Sequence, residues 1–154
     1  MSNFLVTGGA GFIGSALVRG LIANGASRVS VVDNYLTGHA RNLEGVSGPL
    51  DFHLVDIRDY DALLASMRGV EVVFHEAAIP SVPRSIREPI PSHDVNVNGT
   101  FNVLRACHAG KVRRVVYAAS SSAYGNTEVL PKTEAMQPSP LSPYAAQKLM
   151  DEYY

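Results

Sequence analysis

The chain has 154 residues, 46% of them hydrophobic and 18% charged, which is enough material for one domain with one sizeable core. A formal net charge of −1, with no block of basic residues, argues against nucleic acid or an anionic membrane surface as a partner. No apolar run approaches the ~18 residues of a membrane span. No basic-then-apolar leader precedes the first strand, and the single Cys107 has no partner in the chain for a disulfide. Together these predict a cytoplasmic protein in a reducing compartment, with Cys107 as a small core residue.

The stretch Asn3-Phe4-Leu5-Val6-Thr7 reads as an apolar strand and runs straight into Gly8-Gly9-Ala10-Gly11-Phe12-Ile13-Gly14. A helical pattern, Phe12 to Asn24, begins at once, with Ile13, Leu17, Val18, Leu21 and Ile22 on one side. Glycines at this spacing between a first strand and a first helix form a dinucleotide-binding turn. Gly8 makes the tight turn, Gly11 lets the backbone approach a pyrophosphate, and Gly14 lets the helix lie close on the strand. The free N–H groups of Phe12 and Ile13 then face the phosphates. A second strand, Val29–Val32, ends at Asp33, which stands about twenty residues beyond the last glycine, where a ribose-binding acid is expected. A carboxylate there accepts from both ribose hydroxyls and repels a 2′-phosphate, so NAD is expected over NADP. Taken alone, a Gly-rich turn without ligand and an ordinary strand-end cap are the alternatives.

Asn34 to Gly48 reads as a polar loop with a short helix at Ala40–Leu43. Phe52–Val55 is the third strand, ending at Asp56-Ile57. A helix over Tyr60–Met67 leads through Gly69 to a fourth strand, Val70–His75. Glu76–Pro80 is too small and kinked for regular structure. A long helix from Ser92 or His93 to Gly110 carries Val95, Val97, Phe101, Leu104 and Cys107. The fifth strand is Arg114–Ala119. A loop rich in Ser and Pro follows to Pro143, and a last helix starts near Ser142 and reaches Tyr154. Apolar strands alternating with helices predict an α/β fold, a doubly wound parallel sheet of order 3-2-1-4-5 with its ligand crevice at the C-terminal strand ends.

Tyr144-Ala145-Ala146-Gln147-Lys148 puts a phenol and an ammonium one helical turn apart on one face. In isolation that spacing suits a solvated surface pair, since the chain has seven tyrosines. Following the fifth strand of a dinucleotide fold, it suits a base. An adjacent ammonium and a positive nicotinamide ring would lower the phenol's pKa from ~10, and Ser120 would share the substrate hydroxyl or relay its proton. His75-Glu76 lacks the second histidine of a zinc helix. The serine run lacks G-x-S-x-G, and His39, His53, His93 and His108 have no metal spacing, so no metal is expected.

These residues resemble the N-terminal half of the extended short-chain dehydrogenases/reductases, in the nucleotide-sugar epimerase and dehydratase group. The matching stretches are Thr7–Gly14, Asp33-Asn34, Asp56-Ile57, His75–Ala78, Asn96–Thr100, Ser120–Gly125 and Tyr144–Lys148, in the right order along nearly the whole chain. The resemblance implies a Rossmann domain over residues 1–154 that includes the Tyr-x-x-x-Lys helix and stops before a sixth strand and a substrate domain. It implies NAD held by Gly8, Gly11, Phe12, Ile13, Gly14, Asp33, Asn34, Thr37 and Gly38. Asp56 and Ile57 would lie at the adenine, Ala77 and Ala78 along the cofactor, and Tyr144 and Lys148 at the nicotinamide end. Ser120, Tyr144 and Lys148 are the implied catalytic trio, with Asn96 bracing the site.

Ser81–Ser85, Ala118–Ser122, Leu130–Glu134 and Pro140–Tyr144 are most similar to UDP-N-acetylglucosamine and UDP-glucose 4-epimerases. In those enzymes Ser81, Val82, Ser120, Ser121, Ser122 and Tyr144 would touch the sugar. In the dehydratases an Asp-Glu pair stands where this chain has Ser121-Ser122, and the decarboxylases keep a Glu at the second place, so both fit less well. The expected reaction is C4 epimerisation of a UDP-sugar through a 4-keto intermediate. A dinucleotide-binding module without turnover is the alternative from another class. The resemblance also implies a homodimer through the helices near 93–110 and 142–154, and an open edge at the fifth strand.

Overall fold

β1 (Asn3–Thr7), β2 (Arg28–Asp33), β3 (Leu50–Leu54), β4 (Val72–His75) and β5 (Arg114–Tyr117) form one sheet in the order β3-β2-β1-β4-β5. Every pairing is parallel, with Thr7 opposite Val32 on one side and His75 on the other. This is the order expected of a doubly wound fold, seen in a computed structural model that describes residues 2–154. The inner strands are continuous apolar runs because both their faces are covered: Leu5, Val6, Val29, Val31, Val32 and Val73 are fully buried. β5, at the edge, alternates exposed and half-buried residues.

The chain divides into two compact units. One runs to Ala78 and takes in Asn102–Ala118; the other comprises Ile79–Phe101 and Ala119–Tyr154. The first holds the sheet. Its helix α1 (Phe12–Ala23) lays Val18, Leu21 and Ile22 on Val6, Val29 and Val31, and ends at Asn24 with Gly25 at φ +80°. Ile13 does not share that face as expected. It is 60% exposed and Phe12 92%, because the first helical turn starts beyond the strand ends, where no strand lies beneath it.

Strand limits follow pairing rather than hydropathy. β3 starts at Leu50, which is in register with Val29. β4 starts only at Val72, because the Val70 N–H still closes the preceding turn on Met67 O at 3.1 Å. β5 stops at Tyr117, the partner of the last β4 residue. Between them, α2 (Tyr60–Ser66) is capped by the Asp59 side chain, which accepts from Ala62 N at 3.1 Å. The short helix expected at Ala40–Leu43 is a 3-10 turn. Cys107 is buried as expected, and desolvation pushes its thiol up to about 12, so it is inert as a nucleophile.

The second unit departs more from expectation. α3 (Val82–Arg87) stands where no helix was expected, started by Ser81 Oγ accepting from Arg84 N at 3.1 Å, with proline in its first turn. α4 (Pro89–His93) likewise begins on a proline, three residues before the expected start. Proline breaks helix interiors but suits a first turn, whose N–H groups have no helical partner. The helix then widens into a π segment, Asp94–Gly99, before continuing as α5 (Thr100–Ala109). A 3-10 turn, Ser121–Tyr124, follows β5 after a short link. α6 (Pro143–Tyr153) is capped by Ser142, near which a helix start was expected, and ends one residue short of the expected Tyr154. Among the described residues no helix is long and apolar enough to cross a membrane.

Candidate active site

In the first unit the candidate cofactor residues lie at the C-terminal ends of β1 to β4. Gly8 takes φ +68°, and a Cβ there would sit 2.7 Å from Ala77 N, so only glycine serves. A Cβ on Gly14 would strike the Gly8 carbonyl oxygen and lie 2.8 Å from Gly9 Cα. α1 can therefore start against the turn only because Gly14 has no side chain. No side chain caps α1 and no acid stands in its first turn, which leaves the leading N–H groups to an anion.

Asp33 is buried, and both its oxygens are already oriented. Oδ2 accepts from Ala10 N at 2.9 Å and Oδ1 from Tyr35 N at 2.7 Å. Each keeps a lone pair for a hydroxyl donor. Gly38 fits against Ala10 and Asp33, with no room for a Cβ, and Thr37 is exposed beside it. Asn34 donates to Asp56 Oδ2 at 2.9 Å. Arg58 pairs with the same carboxylate, Nε to Oδ1 at 3.0 Å and Nη2 to Oδ2 at 2.7 Å. The Arg58 side chain holds the Asp56 carboxyl at about 2, below its ordinary 3.8, so the group stays ionised until the pH falls toward that value.

Ala77 and Ala78 follow β4 in a bend whose cause was not read from the sequence. Thr7 Oγ1 lies 2.6 Å from the buried His75 Nδ1 and accepts from Ala77 N at 3.3 Å. The bend is thereby tied to the end of β1. These residues together present an open glycine turn, uncapped helical donors and a buried carboxylate with both oxygens oriented.

In the second unit Tyr144 and Lys148 stand one turn apart on α6. Lys148 is 3% exposed, so they are not a solvated surface pair. Ser120 caps the 3-10 turn by accepting from Ser122 N at 3.2 Å, and it hydrogen-bonds the Tyr144 side chain. Burial raises the Tyr144 phenol above its ordinary value of 10, while the Ser120 hydrogen bond pulls it back. Without cofactor, desolvation is the larger cause and the serine the opposing one; the lowering expected from the lysine together with a nicotinamide ring belongs to the cofactor-bound site.

Ser81 and Val82 open α3, and Ser85 Oγ there accepts from Tyr144 N at 3.1 Å, which satisfies a donor in the first turn of α6. Ser121 is exposed and Ser122 half-buried.

A buried polar network behind α6 was legible only in part. Asn96, in the π segment, accepts from Ile79 N at 2.7 Å and donates to Gln147 Oε1 at 2.8 Å. Ser92 Oγ donates to the same Gln147 oxygen at 3.0 Å. All three side chains are buried. Gln147 and Ser92 were missed. The available signal was a glutamine one place before Lys148, on a helix whose neighbour carries Asn-Val-Asn-Gly, residues that fit a regular helix poorly. Asn96→Ala leaves a buried N–H and a buried amide oxygen short of a partner. Urea unfolding should show a loss of about 2–4 kcal/mol.

Several known proteins are similar to this chain. A putative UDP-glucose 4-epimerase of Methanocaldococcus jannaschii is 40% identical over 152 residues, covering 97% of this chain and 48% of its own length. The UDP-glucose 4-epimerase of Mycolicibacterium smegmatis is 43% identical, with 97% and 49% covered. The solved UDP-glucose 4-epimerase of Thermus thermophilus, in complex with NAD, superposes with a TM-score of 0.91 at 39% identity, over 99% of this chain and 49% of that one. This chain thus spans about half the length of the relatives it matches. Residues 4–154 match the family's own sequence profile from the first strand to the tyrosine-bearing helix, and with the sheet order and the glycine turn that makes the chain a member of the NAD dependent epimerase/dehydratase family.

Proposed function

We propose that this chain is the cofactor-binding and catalytic half of an NAD-dependent 4-epimerase acting on a UDP-hexose or UDP-N-acetylhexosamine. The observation that carries the reading is α6, with a buried lysine one turn from a tyrosine that Ser120 hydrogen-bonds. Burying a lysine is costly, and a binding module without turnover has no use for this pairing. In this reading Gly8, Gly11 and Gly14 give a pyrophosphate room, and the N–H groups of Phe12 and Ile13 bind it. Asp33 holds the ribose, flanked by Asn34, Thr37 and Gly38. Asp56 and Ile57 receive the adenine, Ala77 and Ala78 line the cofactor, and Lys148 holds the far ribose.

When bound, NAD supplies the hydride acceptor for the sugar carbon and afterwards the donor. Tyr144 Oη takes the proton of the 4-hydroxyl, and the Ser120 hydroxyl steadies the phenolate. Once the 4-keto sugar has turned its opposite face of C4 toward the cofactor, where hydride would return, Tyr144 gives the proton back to the 4-oxygen, so that C4 is inverted with no net redox change. Ser81, Val82, Ser121 and Ser122 contact the sugar.

Because Ser120 opposes the effect of burial on Tyr144, Ser120→Ala should raise the phenol's pKa further. The phenolate fraction then falls at every pH below that value, and the rising limb of the pH–rate profile moves to higher pH.

Homodimerisation through α5 and α6 is supported by apolar side chains left exposed there. Phe101 packs its ring 5.1 Å from that of Tyr154, and both stay accessible along with Met150 and Tyr153. A reducing cytoplasm suits the free buried Cys107.

The test is to titrate the purified chain with NAD, and to assay interconversion of UDP-glucose and UDP-galactose in a protein that joins this half to a substrate domain, since the chain alone should have little affinity for the sugar nucleotide. Saturable binding together with interconversion that depends on Tyr144 supports the reading. Absence of binding, or turnover indifferent to Tyr144→Phe, overturns it.

A further inference from the structure

We propose that the open edge of β3 docks a second copy of this chain, the two β3 strands pairing antiparallel about a two-fold axis at Phe52. β3 ends the sheet and has a strand on one side only. Its ladder with β2 shows which backbone groups are left over. Pro49 O accepts from Val29 N at 2.8 Å and Val55 N donates to Asp33 O at 3.2 Å, so the odd-numbered residues of this stretch face β2. In a parallel ladder the N–H and C=O of one residue point to the same side, and the side alternates along the strand. Phe52 and Leu54 therefore present both groups to the open edge. Leu50 presents its carbonyl, while its N–H is turned back onto Gly48 O at 2.8 Å. An edge of this kind is a template for another strand.

The side chains say which strand that is. Leu50-Asp51-Phe52-His53-Leu54 is apolar at both ends and at its centre, with an acid and an imidazole between. In antiparallel register centred on Phe52, Phe52 meets Phe52 of the second copy and Leu50 meets Leu54. Asp51 meets His53, twice by symmetry. An imidazole N–H donates to a carboxylate whether or not the ring is charged. Because the Phe52 pair carries ladder bonds, the Asp51–His53 pairs fall at the non-hydrogen-bonded positions, where side chains come closest. A parallel pairing in register would set acid against acid. The other sheet edge, β5, carries Arg114 and no acid to answer it.

These side chains are accessible. Leu54 is 68% exposed and Phe52 36%. The Asp51 side chain is 56% exposed and only loosely paired, with Arg28 Nε at 3.9 Å. Phe52 is also held in place. The Tyr35 ring stacks on it, centroids 5.1 Å apart and planes within 11°, and Tyr35 N is fixed by Asp33 Oδ1 at 2.7 Å. A ring already ordered loses little freedom on docking. A strand of five residues is a small contact, below the roughly 1,000 Å² of a stable complex. The association is therefore weak and concentration-dependent, and it uses elements other than α5 and α6.

Sedimentation velocity over a concentration series follows the purified chain, its Asp51→Lys variant and the double exchange Asp51→His with His53→Asp, with melting temperature recorded for each. The unaltered chain should self-associate. Asp51→Lys should weaken that by about tenfold. The exchange again sets an acid opposite an imidazole and should recover association to within about threefold of the unaltered chain. Both variants lose the Arg28 contact, so only the pair between copies separates them. Under mild oxidation Phe52→Cys should give a disulfide-linked dimer, because residues paired across the axis lie about 5.5 Å apart at Cα, within reach of a disulfide. Leu54→Cys, which faces Leu50 rather than itself, should not. Cys107 is buried and does not compete. The cysteine variants keep both charges and decide the matter if a charge variant does not fold. Association indifferent to Asp51→Lys, no recovery in the exchange, equal cross-linking at the two cysteine positions, or a chain monomeric at every concentration overturns the inference.

Discussion

Gly14→Ala should destabilise the chain by about 3 kcal/mol or more and remove saturable NAD binding. The added Cβ would run into the carbonyl oxygen of Gly8 and come within 2.8 Å of Gly9 Cα and 2.9 Å of Gly8 C. All three are backbone atoms of a tight turn and have no rotamer to adopt. Relief requires α1 to lift off the strand end. Lifting it draws Val18, Leu21 and Ile22 away from Val6, Val29 and Val31 and tilts the N–H groups of Phe12 and Ile13 off any phosphate. Gly20 is the control on the same helix. A Cβ there meets nothing within 4 Å, so Gly20→Ala should stabilise by about 0.5–1 kcal/mol through helix propensity. Urea unfolding measures both. If the two variants shift the midpoint alike, the close approach of α1 to the turn is wrong.

In a protein that joins this half to a substrate domain, and on the proposed reading, Tyr144→Phe should cut interconversion of UDP-glucose and UDP-galactose about a thousandfold while leaving NAD affinity within about twofold. The ring and its packing survive the change. Only the hydroxyl is lost, along with its hydrogen bond to Ser120, at a cost to stability of about 1 kcal/mol. The split between turnover and binding is the diagnostic. A loss of NAD binding equal to the loss of rate would give Tyr144 a purely structural role. Burial, which raises the Tyr144 phenol above its ordinary value of 10, also predicts a rate that climbs with pH across the neutral range, a slope that Phe should abolish.

Much of this architecture was legible because it is written in local patterns. Val6, Val31, Val32 and Val73 sit in short apolar runs that only a sheet covered on both faces would hide. Glycines at 8, 11 and 14 lie where a strand pattern turns into a helical one. Ser142-Pro143 announces the start of α6, and Tyr144 and Lys148 are one turn apart whatever the tertiary fold. α3 and the start of α4 went unread, and both are short helices with a proline in the first turn, Pro83 and Pro89, where proline costs nothing. Strand ends were misjudged for a different reason. Val55 and Val70 are as apolar as their neighbours, but Val55 lies past the last residue of β3 paired with β2, and the Val70 N–H is taken by the preceding turn.

The sequence by itself determined the order of strands and helices, the sites where backbone must pass close to backbone, and the residue types available for proton transfer. These depend on side-chain volume, periodicity and the handedness of crossovers, all local properties of the chain. Only the tertiary structure decided which polar groups are buried and what they bond. It put Asn96, Ser92 and Gln147 in one network, Thr7 against His75, and Lys148 out of water. It also showed burial raising the Tyr144 phenol in the absence of ligand, against a hydrogen bond from Ser120. The reason is that burial and hydrogen-bond partnership come from residues distant in sequence, and the cost of removing a charge from water exists only once those residues have closed around it.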